Sequence, residues 1–183
     1  MTSQYMKSQR AFIAPILALL VSAGAWTTFG ASPSNTTTQV ASFSNPSVYG
    51  EPVTFSALVT ATPPDTGIPT GTVQFKTNGA NFGAAMALSG AGMALSDSTT
   101  NLGVGNHGVT AEYSGDANFN ASTGTLATGQ TVNKANTATA VASSQNPSVY
   151  GQSVTLTATV AVVAPGAGTP TGTVQFQTNG ANY

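Results

Sequence analysis

Apolar and polar positions alternate along three stretches of the chain. Val53, Phe55, Ala57 and Val59 fall on one parity, with Thr54, Ser56, Leu58 and Thr60 on the other. Val73 and Phe75 alternate with Thr72, Gln74 and Lys76, and Val109, Ala111 and Tyr113 with Thr110, Glu112 and Ser114. In an extended chain each apolar set lands on one face, which predicts strands of a sheet with one buried side. Turn-forming clusters separate these runs: Pro63-Pro64-Asp65 with Gly67, Asn78-Gly79, Ser89-Gly90-Ala91-Gly92 and Ser114-Gly115-Asp116. Seven strands are predicted, over about 36–43, 51–61, 71–77, 83–88, 92–99, 107–114 and 121–132. The stretch 83–100 is rich in Ala and Gly and has a poor helix as its alternative. Its glycines disfavour that, and it is read as two strands. Short strands at this spacing predict an all-β sandwich or barrel. The expected core is Val53, Phe55, Val59, Val73, Phe75, Val109 and Tyr113, with Phe55, Phe75 and Tyr113 in the central packing role.

The pattern is repeated. Asn45-Pro46-Ser47-Val48-Tyr49-Gly50 returns as Asn146-Pro147-Ser148-Val149-Tyr150-Gly151, and the T-G-T-V-Q-F of Thr70–Phe75 returns at Thr171–Phe176. Both lie at an offset of 101 without a gap, and about 30 of 48 positions agree between 35–82 and 136–183. Such a period is domain-sized and too long for a solenoid unit. The expected organisation is one complete domain over 35–135 and a truncated second copy over 136–183. The second copy stops at Tyr183, where the first has Phe82, which reads as a fragment of a longer gene product or an early stop.

Ahead of the repeats, Lys7 and Arg10 precede an apolar run from Ala11 to Val21, followed by Ser22, Ala23, Gly24 and Ala25. This is the layout of a helical secretory signal peptide over 1–25. Cleavage is expected after Ala25, with Ala31 as the alternative, and 26–34 is a linker. An uncleaved anchor would need about 20 apolar residues, and Pro15 interrupts this shorter run. No later stretch is long or apolar enough to span a membrane. The expected location is therefore outside the cell, secreted or at the surface.

Composition narrows the function classes. Only 5% of the residues are charged, against about 25% in typical domains. After the leader only Lys76 and Lys134 are basic, too few to neutralise a run of phosphates, so nucleic acid is not an expected partner. The absence of cysteine excludes disulfides, thiolate metal sites and cysteine nucleophiles.

With its N-P-S-V-Y-G-E-P-V-T opening (Asn45–Thr54), P-T-G-T-V-Q-F (Pro69–Phe75), H-G-V-T-A-E-Y-S-G-D-A-N-F (His107–Phe119) and T-V-N-K-A (Thr131–Ala135), the chain resembles the bacterial immunoglobulin-like domain repeats. The resemblance covers 35–135 fully and 136–183 in part. It implies a seven-stranded immunoglobulin-like β-sandwich, often in tandem, on secreted or surface proteins. It also implies a spacer, stalk or adhesive role without enzymatic activity. The disulfide and neighbouring tryptophan of vertebrate immunoglobulin domains are missing, since the only tryptophan is Trp26.

Candidate chemistry is sparse. His107, the only histidine, could serve a Ser-His-Asp arrangement with Asp97 or Asp116, but no nucleophile motif accompanies it. It reads as a turn or strand-start residue. Asp116 and Asn118, with Asn120, place oxygen donors at alternate positions, a weak calcium candidate. The same residues favour a turn through their own hydrogen bonds. Tyr49 and Tyr150 are either an exposed pair for stacking on sugars or rings packed at the start of a strand. No cofactor and no catalytic residue is expected. The expected function is a non-catalytic spacer of tandem repeats whose partners are neighbouring repeats of the same parent chain. The alternatives are an adhesin-type or carbohydrate-binding module contacting a cell-surface protein or polysaccharide, or an accessory domain of a larger secreted enzyme.

Overall fold

The computed structural model describes residues 32–182, which form fifteen strands and no helix. The expected signal peptide over 1–25 and most of the expected linker over 26–34 lie outside the described residues. The first copy contains β1 (Thr36–Ser42), β2 (Ser47–Val48), β3 (Phe55–Ala61), β4 (Thr72–Thr77), β5 (Ala80–Asn81) and β6 (Met86–Ala87). It continues with β7 (Met93–Leu95), β8 (Gly105–His107), β9 (Val109–Tyr113), β10 (Ser122–Thr125) and β11 (Gln130–Asn133).

Two sheets face each other. One has the order β1-β3-β7, all antiparallel, with Val40 opposite Ala57 and Ala57 opposite Ala94. The other has the order β10-β9-β4-β5, with β6 also pairing β4. In it Val73 lies opposite Tyr113 and Phe75 opposite Ala111. A smaller group extends the sandwich, in which β11 runs parallel to β2 and antiparallel to β8. Period-2 burial is visible in each central strand. Val53, Phe55, Ala57 and Val59 point inward from the first sheet, and Val73, Phe75, Val109, Ala111 and Tyr113 from the second. Each large side chain in this layer contributes about 1.5–3 kcal/mol by leaving water. Phe55 also meets Phe82 edge to face, with ring centroids 5.5 Å apart, a favoured aromatic geometry. At the sheet corner Gly124 of β10 lies so close to the Thr38 carbonyl of β1 that a Cβ there would clash.

The strands are shorter than the alternation predicts, and each break has a local cause. β3 begins at Phe55; Val53 makes an isolated antiparallel bridge to Thr99 instead, with amide–carbonyl bonds of 2.8 and 3.0 Å. The span 107–114 is interrupted at Gly108, whose amide and carbonyl both bond Asn78, so β8 joins β11 while β9 joins β4. The span 121–132 divides at a turn closed by Gly129 N–H to Leu126 C=O (2.9 Å), with Gly129 at φ +67°. There the chain passes from one strand group to another. Between 83 and 100 only β6 and β7 form, joined by a turn in which Gly92 adopts φ +72° and donates to Ser89 C=O at 2.9 Å.

The second copy has β12 (Thr137–Ser143), β13 (Leu156–Val162), β14 (Gln177–Thr178) and β15 (Ala181–Asn182). β12 pairs β13 with Thr137 opposite Val162, the register of Thr36 opposite Ala61 moved by the repeat offset. β12 is exposed throughout. Val174 is 46% exposed, whereas its counterpart Val73 is fully buried. In the first copy β4 is paired along one edge by β9, and Val73 packs in the core with residues of the opposite sheet. No strand pairs with 172–176 among the described residues.

Candidate functional site

The residues with chemical potential sit in loops and at strand ends, placed there by the sandwich. Asp116 lies in the turn after β9. Its Oδ2 accepts the Thr70 amide at 2.8 Å and the Thr70 hydroxyl at 2.6 Å. Its Oδ1 accepts the Asn118 and Phe119 amides at 2.8 and 2.9 Å. Four protein donors therefore occupy the carboxylate. Asn118 takes part through its backbone: its amide reaches Asp116 and its carbonyl accepts the Ser34 amide at 2.8 Å. Beside them the Tyr113 hydroxyl donates to Thr70 C=O at 2.6 Å. The cluster binds the segment before β4 to the turn after β9, which is the work of a structural clamp. Among the described residues no group of three or more His, Cys, Asp or Glu is placed to hold a metal.

The electrostatics follow from these bonds. The Thr70 hydroxyl and amide, then the Asn118 and Phe119 amides, hold the Asp116 carboxyl down from its ordinary 3.8 to about 2. Burial, together with the neighbouring Asp116 carboxylate, pushes the Tyr113 phenol up to about 12. A carboxyl with a depressed folded pKa stabilises fully above its unfolded value and loses that contribution as pH falls through its folded one. The melting-temperature gap between the parent and Asp116→Asn should therefore stay constant from neutral pH to about 4, then close toward pH 2. Thermal melts of both proteins across that range check it. A gap that persists unchanged at pH 2 would show that the carboxylate charge contributes nothing to the clamp.

His107 is the last residue of β8. Its Nε2 lies 2.8 Å from Gly103 C=O and so carries the proton, leaving Nδ1 to accept from Asn78 Nδ2 at 3.0 Å. Both nitrogens are engaged in loop closure, and no serine or carboxylate is bonded to the ring among the described residues. Tyr49 is 43% exposed and its amide donates to Asn133 C=O, whereas Tyr150 is wholly exposed. The structure does not bring the two rings together: each stays at the turn of its own copy.

One buried constellation carries no apolar signal in the sequence. Gln130 is fully buried. Its Oε1 accepts the Ser42 hydroxyl at 2.6 Å, and its Nε2 donates to Ser44 C=O at 2.8 Å and to Ser47 Oγ at 3.1 Å. Asn45 adds bonds to β11 and the turn before it, donating to Gly129 C=O and accepting the Thr131 amide. These contacts lash the loop between β1 and β2 to β11. The only hint in the sequence is that Gln130 and Val132 share the inward parity of their strand.

The residues named for the core and the clamp thus belong to one sandwich. Searches of curated proteins and of solved structures give no match. The bacterial Ig-like domain family (group 3) matches residues 39–133, just over half of the chain, from within β1 to the end of β11. With that match laid over a two-sheet, all-β sandwich, the chain belongs to the bacterial Ig-like domain family.

Proposed function

We propose that this chain is a secreted or cell-surface spacer, a non-catalytic module of tandem Ig-like repeats whose working partners are neighbouring repeats of the same parent chain. Domains of this family are structural or surface modules, typically extracellular and generally without catalysis. The observation that carries the reading is the return of the same local bonds 101 residues later. Thr62 N–H to Asn35 C=O returns as Val163 N–H to Asn136 C=O, and Phe43 N–H to Thr54 C=O as Ser144 N–H to Thr155 C=O. Glu51, whose carboxylate accepts the Val48 amide, is replaced by Gln152, which accepts the Val149 amide in the same way. Only Lys134, Ala135 and Asn136 separate β11 from β12, too few for long flexible reach. The leader over 1–25 supports export.

Expression with the leader in a Gram-negative host should yield periplasmic protein beginning at Trp26, or at Ser32 if the second site is used. The exported protein should show no saturable binding to immobilised polysaccharides up to roughly 100 µM. Protein retained in the cytoplasm with Met1 in place would overturn export. Saturable polysaccharide binding that disappears in Tyr150→Ala would replace the spacer by a carbohydrate-binding module.

A further inference from the structure

Tyr49 and Gly50 close the turn after β2, at the end of the first copy from which the linker departs. The Tyr49 amide donates to Asn133 C=O at 2.8 Å, tying the turn to the last residue of β11. The Tyr49 carbonyl accepts the amide of Ala167 at 3.0 Å, and Ala167 belongs to the second copy. One peptide segment thus holds both the end of its own domain and the 163–168 turn of the next. The close fit depends on glycines. Gly50 stands at φ +85°, and a Cβ there would lie 2.6 Å from Ala167 Cβ. Gly168 stands at φ +106°, and a Cβ there would lie 3.1 Å from Tyr49 Cε1. In the first copy the glycine at the matching position, Gly67, is met by Phe119 of its own domain at 3.0 Å. On the linker side a Cβ at Gly166 would lie 2.6 Å from Ala135 Cβ. Tyr150, the counterpart of Tyr49, is wholly exposed.

We propose that the Tyr49–Gly50 turn is an inter-repeat docking surface whose occupant is the 163–168 turn of the following copy, and that this contact holds the two copies in one relative direction. The proposal rests on the spacer reading and deepens it. The contact is small, and two separate chains would not be held by it. A three-residue linker changes that, because it keeps the turn at a high effective concentration beside Tyr49. A bare linker would let the second copy sample many directions, whereas a docked turn selects one.

The chain has no cysteine, so two can be placed at will. Thr123→Cys on β10 and Thr159→Cys on β13 are exposed sites for nitroxide spin labels. Pulsed electron resonance on the full chain should give one narrow distance distribution, retained in Tyr49→Phe. Tyr49→Ala should broaden it roughly two-fold or more, and so should Ala167→Leu, which wedges the contact without altering the first copy. If Tyr49→Ala unfolds the first copy, Ala167→Leu alone decides. A parent distribution as broad as that of Ala167→Leu overturns the proposal. The outcome is separable from the spacer reading: polysaccharide binding with a narrow distribution removes the spacer and leaves the joint, and a broad distribution removes the joint whether or not anything binds.

Discussion

Phe55→Ala should destabilise the first copy by about 3–5 kcal/mol, the range for deleting a fully buried phenylalanine. Phe55 has no exposed surface, lies between Val53 and Ala57 on the inward parity of β3, and meets Phe82 edge to face. Removing the ring therefore loses its transfer free energy, leaves a cavity and breaks the aromatic contact. Small domains have only about 5–15 kcal/mol of total stability, so this one substitution takes a large share. For a domain of about 100 residues it corresponds to a fall in melting temperature of about 15–30 °C. Two controls make the result specific. Ser56→Ala, one residue on and facing outward, should change stability by about 0.5 kcal/mol or less. Leu156→Ala, at the position of Phe55 in the second copy, should leave the first copy's transition where it was, because Leu156 is only half-buried. Melting curves of the three variants suffice. A Phe55→Ala shift no larger than that of Ser56→Ala would mean that the two sheets are not packed on this ring.

The parity of β3, β4 and β9 is legible in the sequence because a half-buried sheet imposes it residue by residue. Thr54 and Gln74 must face out once Phe55 and Phe75 face in. Strand ends are not legible in the same way. Gly108 looks like one more residue of a strand, and only its two bonds to Asn78, thirty residues earlier in the chain, reveal a break. The division at Gly129 likewise depends on β11 finding β2 and β8 rather than β9. Such choices are made by partners distant in sequence, and a local pattern holds no record of them. Asp116 shows the same limit in chemistry. Its spacing from Asn118 and Asn120 displays the oxygens, but not that Thr70 supplies two donors from 46 residues away. Spacing alone therefore leaves turn and cation site side by side, and it does not display the four donors that bond the carboxylate. The joint at Tyr49 involves a residue whose sequence context is the same as that of Tyr150. That context does not display the Ala167–Gly168 turn lying against Tyr49, a contact between residues far apart in the chain.

Gln130 is the position where polar burial should be felt most. Gln130→Leu keeps most of the volume and removes both hydrogen-bonding ends. The Ser42 hydroxyl, the Ser44 carbonyl and the Ser47 hydroxyl then each lose a partner. A buried group left without a partner costs about 1–3 kcal/mol. Ser47 is itself fully buried and Ser42 partly so, which limits rescue by water. The expected loss is about 2–4 kcal/mol, despite a gain in side-chain hydrophobicity. The direction distinguishes the network from simple packing. If shape were all that mattered, leucine would be neutral or stabilising at a buried site flanked by Val132. The coupling gives a sharper check. Ser42→Ala removes the hydroxyl that Gln130→Leu leaves with only its longer 3.3 Å contact to Ser44 C=O, so the double variant should be more stable than the sum of the two single losses predicts, by about 1 kcal/mol. Chemical denaturation of the parent, the two single variants and the double variant closes the cycle. Strict additivity would show that the Ser42–Gln130 bond carries no energy of its own, leaving the loop between β1 and β2 held to β11 by the Gln130 bonds to Ser44 and Ser47 and by Asn45.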